Sequence, residues 1–174
     1  PIYHSHKNSG KPPSAESVVH IDDIDAEAPQ LSLGMTSFHL DAGYTPLFPF
    51  GFGLSYGRFV YGDLRLDRTD LALGEALEVT VTLTNEGPRG GIEVVQLYVR
   101  DLVGSLTRPV RELKAFERVS LDAGDSRSVR FSLHTDQLAF YGRDGHRRTE
   151  PGEFALWVGG DAQASLGATF RVLP

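Results

Sequence analysis

The chain has 174 residues, of which 40% are hydrophobic and 23% charged, the balance of a globular protein with a real core. Its net charge of −6 argues against a nucleic-acid partner, and no apolar run approaches the ~18 residues that span a bilayer, so no membrane partner is expected either. The absence of cysteine excludes a disulfide framework, thiol chemistry and a thiolate metal site.

Residues 1–45 show no sustained period. Pro1–Ser17 is dense in Pro, Gly, Ser and Lys, which is loop chemistry. The chain lacks an initiator methionine and a signal peptide, and its start at Pro1 reads as the product of cutting. His4 and His6 sit one residue apart beside Lys7, but an HxH pair needs a third ligand, and nothing nearby supplies one with recognisable spacing. Val18–Ile24 reads as a short strand or turn, and Asp22, Asp23, Asp25 and Glu27 form an acidic cluster. A calcium loop of the helix–loop–helix type requires a glycine at its sixth position, where Glu27 stands, so a solvated acidic loop is expected. No metal site and no cofactor are expected in this chain.

The run Pro46–Phe59, PLFPFGFGLSYGRF, carries two prolines, three glycines, four phenylalanines and a tyrosine in fourteen residues. Alternation of φ-fixing proline and permissive glycine with large rings points to an irregular segment pinned onto a surface by its side chains. The glycines begin like a dinucleotide fingerprint, but Tyr56 occupies the third glycine's place and no strand–helix unit surrounds it.

From about Phe59 the texture becomes that of strands punctuated by turns about every 8–14 residues. Glu75–Asn85 alternates Leu77, Val79, Val81 and Leu83 against Glu78, Thr80, Thr82 and Thr84, the period of a half-buried strand. Ile92–Asp101 follows the turn Glu86–Gly91, and Leu113–Leu121 is expected to place Leu113, Phe116 and Val119 in the core. Ser126–His134 alternates Val129, Phe131 and Leu133 with Arg130 and Ser132; Leu138–Tyr141 is a short strand. Gly152–Gly159 sets Phe154, Leu156 and Val158 on one face and Trp157 on the other, and Leu166–Val172 closes the set. Roughly seven or eight short strands with almost no helical signal predict a mainly β protein, an antiparallel two-sheet sandwich of the immunoglobulin or fibronectin III kind. Trp157 alone is not a sugar-stacking platform, and packing is its expected role. No GxSxG elbow and no acid–base pair can be nominated within the sandwich.

These segments, in this order, resemble the C-terminal part of glycoside hydrolase family 3 enzymes, mostly β-glucosidases and β-xylosidases. Pro1–Pro13 is similar to the family's P-x-Y-Y-N-H-K-x-T-G-R-P, with Ser5 in place of Asn and Lys11 in place of Arg. Pro46–Phe59 is close to PLYPFGYGLSYTTF; Arg108–Leu133 resembles the P-x-K-E-L-K-G-F stretch; Glu150–Ala162 looks like the closing EPG-x-F-x-V-x-V-G strand. The resemblance implies residues 1–45 as the mostly irregular tail of an α/β sandwich domain, 46–58 as a connector and 59–174 as a fibronectin III-like domain. It also implies a parent enzyme that hydrolyses terminal β-D-glucosyl residues with retention. Its aspartate nucleophile lies on a barrel domain and its glutamate acid/base on the α/β sandwich. None of the 23 acids here falls in a motif matching either carboxylate, so no catalytic residue is assigned.

The expected partners are the upstream barrel and α/β sandwich domains, in cis or as an associated chain, with a β-glucoside or oligosaccharide reaching the parent. Phe48, Phe50, Phe52, Leu54 and Tyr56 are the expected docking residues, and His4, His6 and Lys7 lie nearest the sugar-handling domain as candidate rim residues. Compartment is open, with periplasmic or secreted members prominent in the family. Two other readings are a chain acting in trans with a separate catalytic chain, and a carbohydrate-binding or adhesion module, since the sandwich fold hosts all three.

Overall fold

The computed structural model describes residues 21–27 and 46–174. Ile21–Asp23 forms one exposed 3-10 turn, so the described end of the expected Val18–Ile24 element is a turn with its acids in solvent. The other described elements are a second 3-10 turn, Thr135–Leu138, and ten strands: β1 Phe59–Leu66, β2 Asp70–Leu71, β3 Ala76–Asn85, β4 Gly91–Asp101, β5 Glu112–Leu121, β6 Ser126–His134, β7 Phe140–Tyr141, β8 Arg147–Arg148, β9 Gly152–Gly159 and β10 Leu166–Val172.

Two sheets form the sandwich, one in the order β1-β3-β6 and the other β2-β10-β9-β4-β5, while β7 and β8 make a separate hairpin. All pairings are antiparallel except that of β10 with β2, which is parallel over Arg171↔Asp70 and Val172↔Leu71. The parallel pair arises because the chain leaves the first sheet after β1 and lays two residues along the edge of the second, burying Leu71.

The core is built by alternation. On β3, Leu77, Val79, Val81 and Leu83 point inward and pair across to Leu133, Phe131, Val129 and Arg127 of β6. The second sheet answers with Val95, Leu97, Val99, Val119, Phe154, Leu156, Val158, Phe170 and Val172, and Phe154 stacks on Phe170 at 5.3 Å. Each such side chain contributes roughly 1.5–3 kcal/mol on burial. A bulge in β1 sets Asp63 at φ 49°, a left-handed conformation that Asp tolerates better than most residues, and bends the strand over the core.

Three expectations are corrected. Phe116 is 67% exposed: it pairs with Gln96 and so shares the outer face of the second sheet, whereas Val119 is buried as expected. The β4–β5 pairing shifts between Leu97 and Tyr98, which leaves Lys114 as the extra residue of a bulge on β5, so a single alternating pattern cannot run the length of that strand. Leu113, paired with Tyr98, is half-buried on the outer face. Leu138, expected at the start of a strand, instead ends the 3-10 turn Thr135–Leu138 and is buried there.

β4 departs from simple alternation as well. Five consecutive residues, Val95–Val99, are buried. Val95, Leu97 and Val99 face the core, and Gln96 and Tyr98 face outward, so something covers them. The cover is the connector.

Candidate functional site

The connector is fastened to the sandwich at two points. At the first, Phe52 N donates to Pro49 O (3.1 Å), closing a turn whose third residue, Gly51, has φ 84°. A type II turn places a residue at positive φ there, which favours glycine. The carbonyls of this turn point at the outer face of β4. Phe50 O accepts from Ala162 N at 2.8 Å and lies 3.4 Å from the Tyr98 hydroxyl; Gly51 O accepts from Gln96 Nε2 at 3.4 Å. Gln96 Nε2 also donates to Gly160 O, and Tyr98 donates to Gln96 Oε1 at 2.5 Å. The amide of Gln96 is thus held from both sides, which defines the slot that the backbone of Gly51 enters. A Cβ on Gly51 would stand 2.2 Å from Gln96 Oε1.

The second fastening is Asn85, fully buried at the end of β3. Its Oδ1 accepts from Gly87 N (3.0 Å) and Arg58 N (3.3 Å), and its Nδ2 donates to Arg89 O (2.7 Å), Leu121 O (3.3 Å) and Asp122 O (3.3 Å). Arg58 O in turn accepts from Glu86 N at 2.8 Å. One buried amide therefore joins the end of the connector to the β3–β4 and β5–β6 turns. Sequence reasoning passed over Gln96 and Asn85, although a glutamine amid β-branched residues and an asparagine ending a strand before a Gly-rich turn were visible signals.

Around these anchors lie titratable groups with displaced equilibria. Burial, with Asp161 adding to it, pushes the Tyr98 hydroxyl up to about 12, so it remains a donor. Burial also raises the Glu93 carboxyl and Asp161 raises it further, against the opposing hydrogen bond from Tyr61 Oη to Glu93 Oε1 at 2.6 Å. Glu93 and Asp161 line a cleft of about 360 Å3 whose other wall is Gly51–Ser55 of the connector. Arg111 lies 4.0 Å over the Trp157 ring and donates to Ala162 O and Ala164 O, both at 2.7 Å, holding the loop that receives Phe50. Gly167 lies against the same ring, where a Cβ would sit 2.6 Å from Trp157 Cδ1. With Arg111 stacked on it, Trp157 packs within the outer face.

The connector's backbone is bound, yet its large side chains stay in solvent. Phe48 and Phe52 lie ring to ring at 5.1 Å, and Phe48, Phe50, Phe52, Leu54 and Tyr56 are all exposed, Leu54 and Tyr56 by 91% and 87%. Ile92, Val94 and Phe116 extend the apolar surface across the outer face of β4 and β5. Apolar patches of this extent on a folded domain mark interaction surfaces. Of the other residues singled out from sequence, His4, His6 and Lys7 lie outside the described residues. Among the described residues no group of three or more His, Asp or Glu converges as a metal site would require.

A fibronectin type III-like domain profile matches residues 93–162. A periplasmic beta-glucosidase of Salmonella typhimurium is 32% identical over 99% of this chain and 21% of its own length. A crystal structure of beta-glucosidase from Listeria innocua in complex with glucose superposes with a TM-score of 0.84 at 34% identity, over 99% of this chain and 22% of that one. The chain belongs to glycoside hydrolase family 3, as its fibronectin type III-like part. A beta-xylosidase of Formosa agariphila is 45% identical over 69% of the chain and 17% of its own length. The family 3 chain described here thus spans about a fifth of the relatives it matches, and it resembles their non-catalytic C-terminal region.

Proposed function

We propose that this chain is the docking and stabilising portion of a retaining β-glucosidase-like enzyme. In that reading residues 1–45 belong to the tail of the α/β sandwich domain, 46–58 form the connector, and 59–174 form the fibronectin III-like domain. The domain packs against the catalytic barrel and α/β sandwich domains, which act on a β-glucoside or oligosaccharide. The observation that carries the reading is the division of labour in the connector. Its carbonyls are bound by Gln96, Tyr98 and Ala162, while Phe48, Phe52, Leu54 and Tyr56 remain exposed beside Ile92, Val94 and Phe116. A segment so anchored presents a pre-ordered apolar face, and pre-ordering lowers the entropy lost on docking.

Burying several of these side chains contributes roughly 1.5–3 kcal/mol each, enough to fix the relative position of domains. In the full-length enzyme, Phe50→Ala, Phe52→Ala or Phe116→Ala is expected to lower the thermal midpoint while kcat changes little. An unchanged midpoint with lost turnover would place these residues in the chemistry and overturn the reading.

A further inference from the structure

We propose that the concavity at the end of β4 remote from the connector cleft is a binding site for a small oxyanion, a carboxylate or a phosphate. It is formed by the β4–β5 loop and the tip of the β7–β8 hairpin and has a volume of about 470 Å3, within the range of ligand sites, about 300–1,000 Å3. Arg100, Arg108 and Arg143 line it together with one acid, Asp101. Arg108 is paired with Glu112, so the cations left without an ion pair in the lining are Arg100 and Arg143. Guanidinium groups present paired donors that match the two oxygens of a carboxylate or phosphate.

The three arginines are not equivalent. Arg108 is pre-set: it donates to Glu112 Oε1 at 2.8 Å and lies 4.3 Å over the Phe140 ring. Arg100 and Arg143 make no ion pair and no side-chain hydrogen bond within the described residues, so their donors are available to a ligand. The loop between them is ordered without using those donors. Glu150 accepts from Ser105 N (2.9 Å) and Ser105 Oγ (2.6 Å), and Asp101 Oδ1 accepts from Val103 N (3.2 Å). Gly104 lets the loop fold tightly, since a Cβ there would lie 2.9 Å from Asp101 Oδ2 and 3.1 Å from Arg108 Cγ. Arg100 stands seven residues along β4 from Glu93 of the connector cleft, roughly 23 Å at strand rise. The proposal therefore stands independently of the docking reading.

Titration calorimetry of the full chain with inorganic phosphate and with glucuronate, at ionic strength held constant with chloride, tests it; glucose is the neutral control. The expected result is one saturable site for phosphate or glucuronate and none for glucose. Arg100→Gln and Arg143→Gln should each weaken that site about tenfold, the loss of one charged donor pair, with circular dichroism unchanged. Arg118→Gln, an exposed arginine elsewhere on the outer face of the second sheet, should leave it intact. Tighter phosphate identifies an inorganic anion as the ligand, and tighter glucuronate identifies an acidic sugar. No saturable binding of either anion, or binding unchanged in both arginine variants, would overturn the proposal.

Discussion

Gly51→Ala is the most informative perturbation of the connector, because two independent costs fall on one methyl group. The φ of 84° is a left-handed backbone, which costs an L-residue about 1–2 kcal/mol. The methyl would also meet Gln96 Oε1 at 2.2 Å, and the side-chain amide would have to swing away. Its hydrogen bonds to Gly51 O and Gly160 O would then weaken, at about 0.5–1.5 kcal/mol each. Together these give about 2–5 kcal/mol, up to the limit set by undocking of the turn itself.

Native-state hydrogen exchange reads this directly. The Ala162 amide donates to Phe50 O, so it reports the docked turn, whereas amides of the β3–β6 ladder report global unfolding. In Gly51→Ala the Ala162 amide is expected to exchange about 30-fold faster or more, the factor that corresponds to 2 kcal/mol. The β3–β6 amides should change far less. Gly53→Ala is the matched control, two residues away with open space at its Cβ, and should leave Ala162 unchanged. Equal Ala162 exchange in wild type and Gly51→Ala would refute the reasoning.

Three further outcomes follow from the same geometry. Asn85→Ala removes a buried amide that serves five backbone groups and should cost about 3–5 kcal/mol in urea denaturation; a loss under about 1 kcal/mol would mean the turns hold without it. Glu93 is raised by burial in the folded chain, so its contribution to stability is present below the ordinary glutamate range and is lost as pH rises through the folded value. Glu93→Gln should accordingly gain stability relative to wild type as the pH of urea titrations rises from about 4 to 8, and a difference that stays flat would count against the assignment. Finally, Val119→Ala should destabilise the chain, whereas Phe116→Ala should fall within about 0.5 kcal/mol in chemical denaturation despite removing a larger side chain, because Val119 is buried and Phe116 is not.

The strands were legible in sequence wherever one face meets the core and the other meets solvent. β3, β6 and β9 show their alternation in the residues themselves, and their extents follow within a residue. The family was legible too, since runs such as Pro46–Phe59 resemble its motifs residue by residue along the chain. Other features belong to the tertiary structure. Phe116 looked like core because an aromatic in an apolar strand resembles one; its outward position depends on its pairing with Gln96 and on the bulge at Lys114, both properties of two strands together. The burial of Gln96 and Tyr98 depends on a segment some 45 residues earlier lying across them, as their bonds to Gly51 and Phe50 record. The arginines of the β4–β5 loop and the β7–β8 hairpin are more than 30 residues apart in the chain, and only folding brings Arg143 to Arg100 and Arg108. Periodicity records what one strand presents to its two faces. Which element covers a face, and which distant charges meet at its end, is set by long-range pairing that no local pattern encodes.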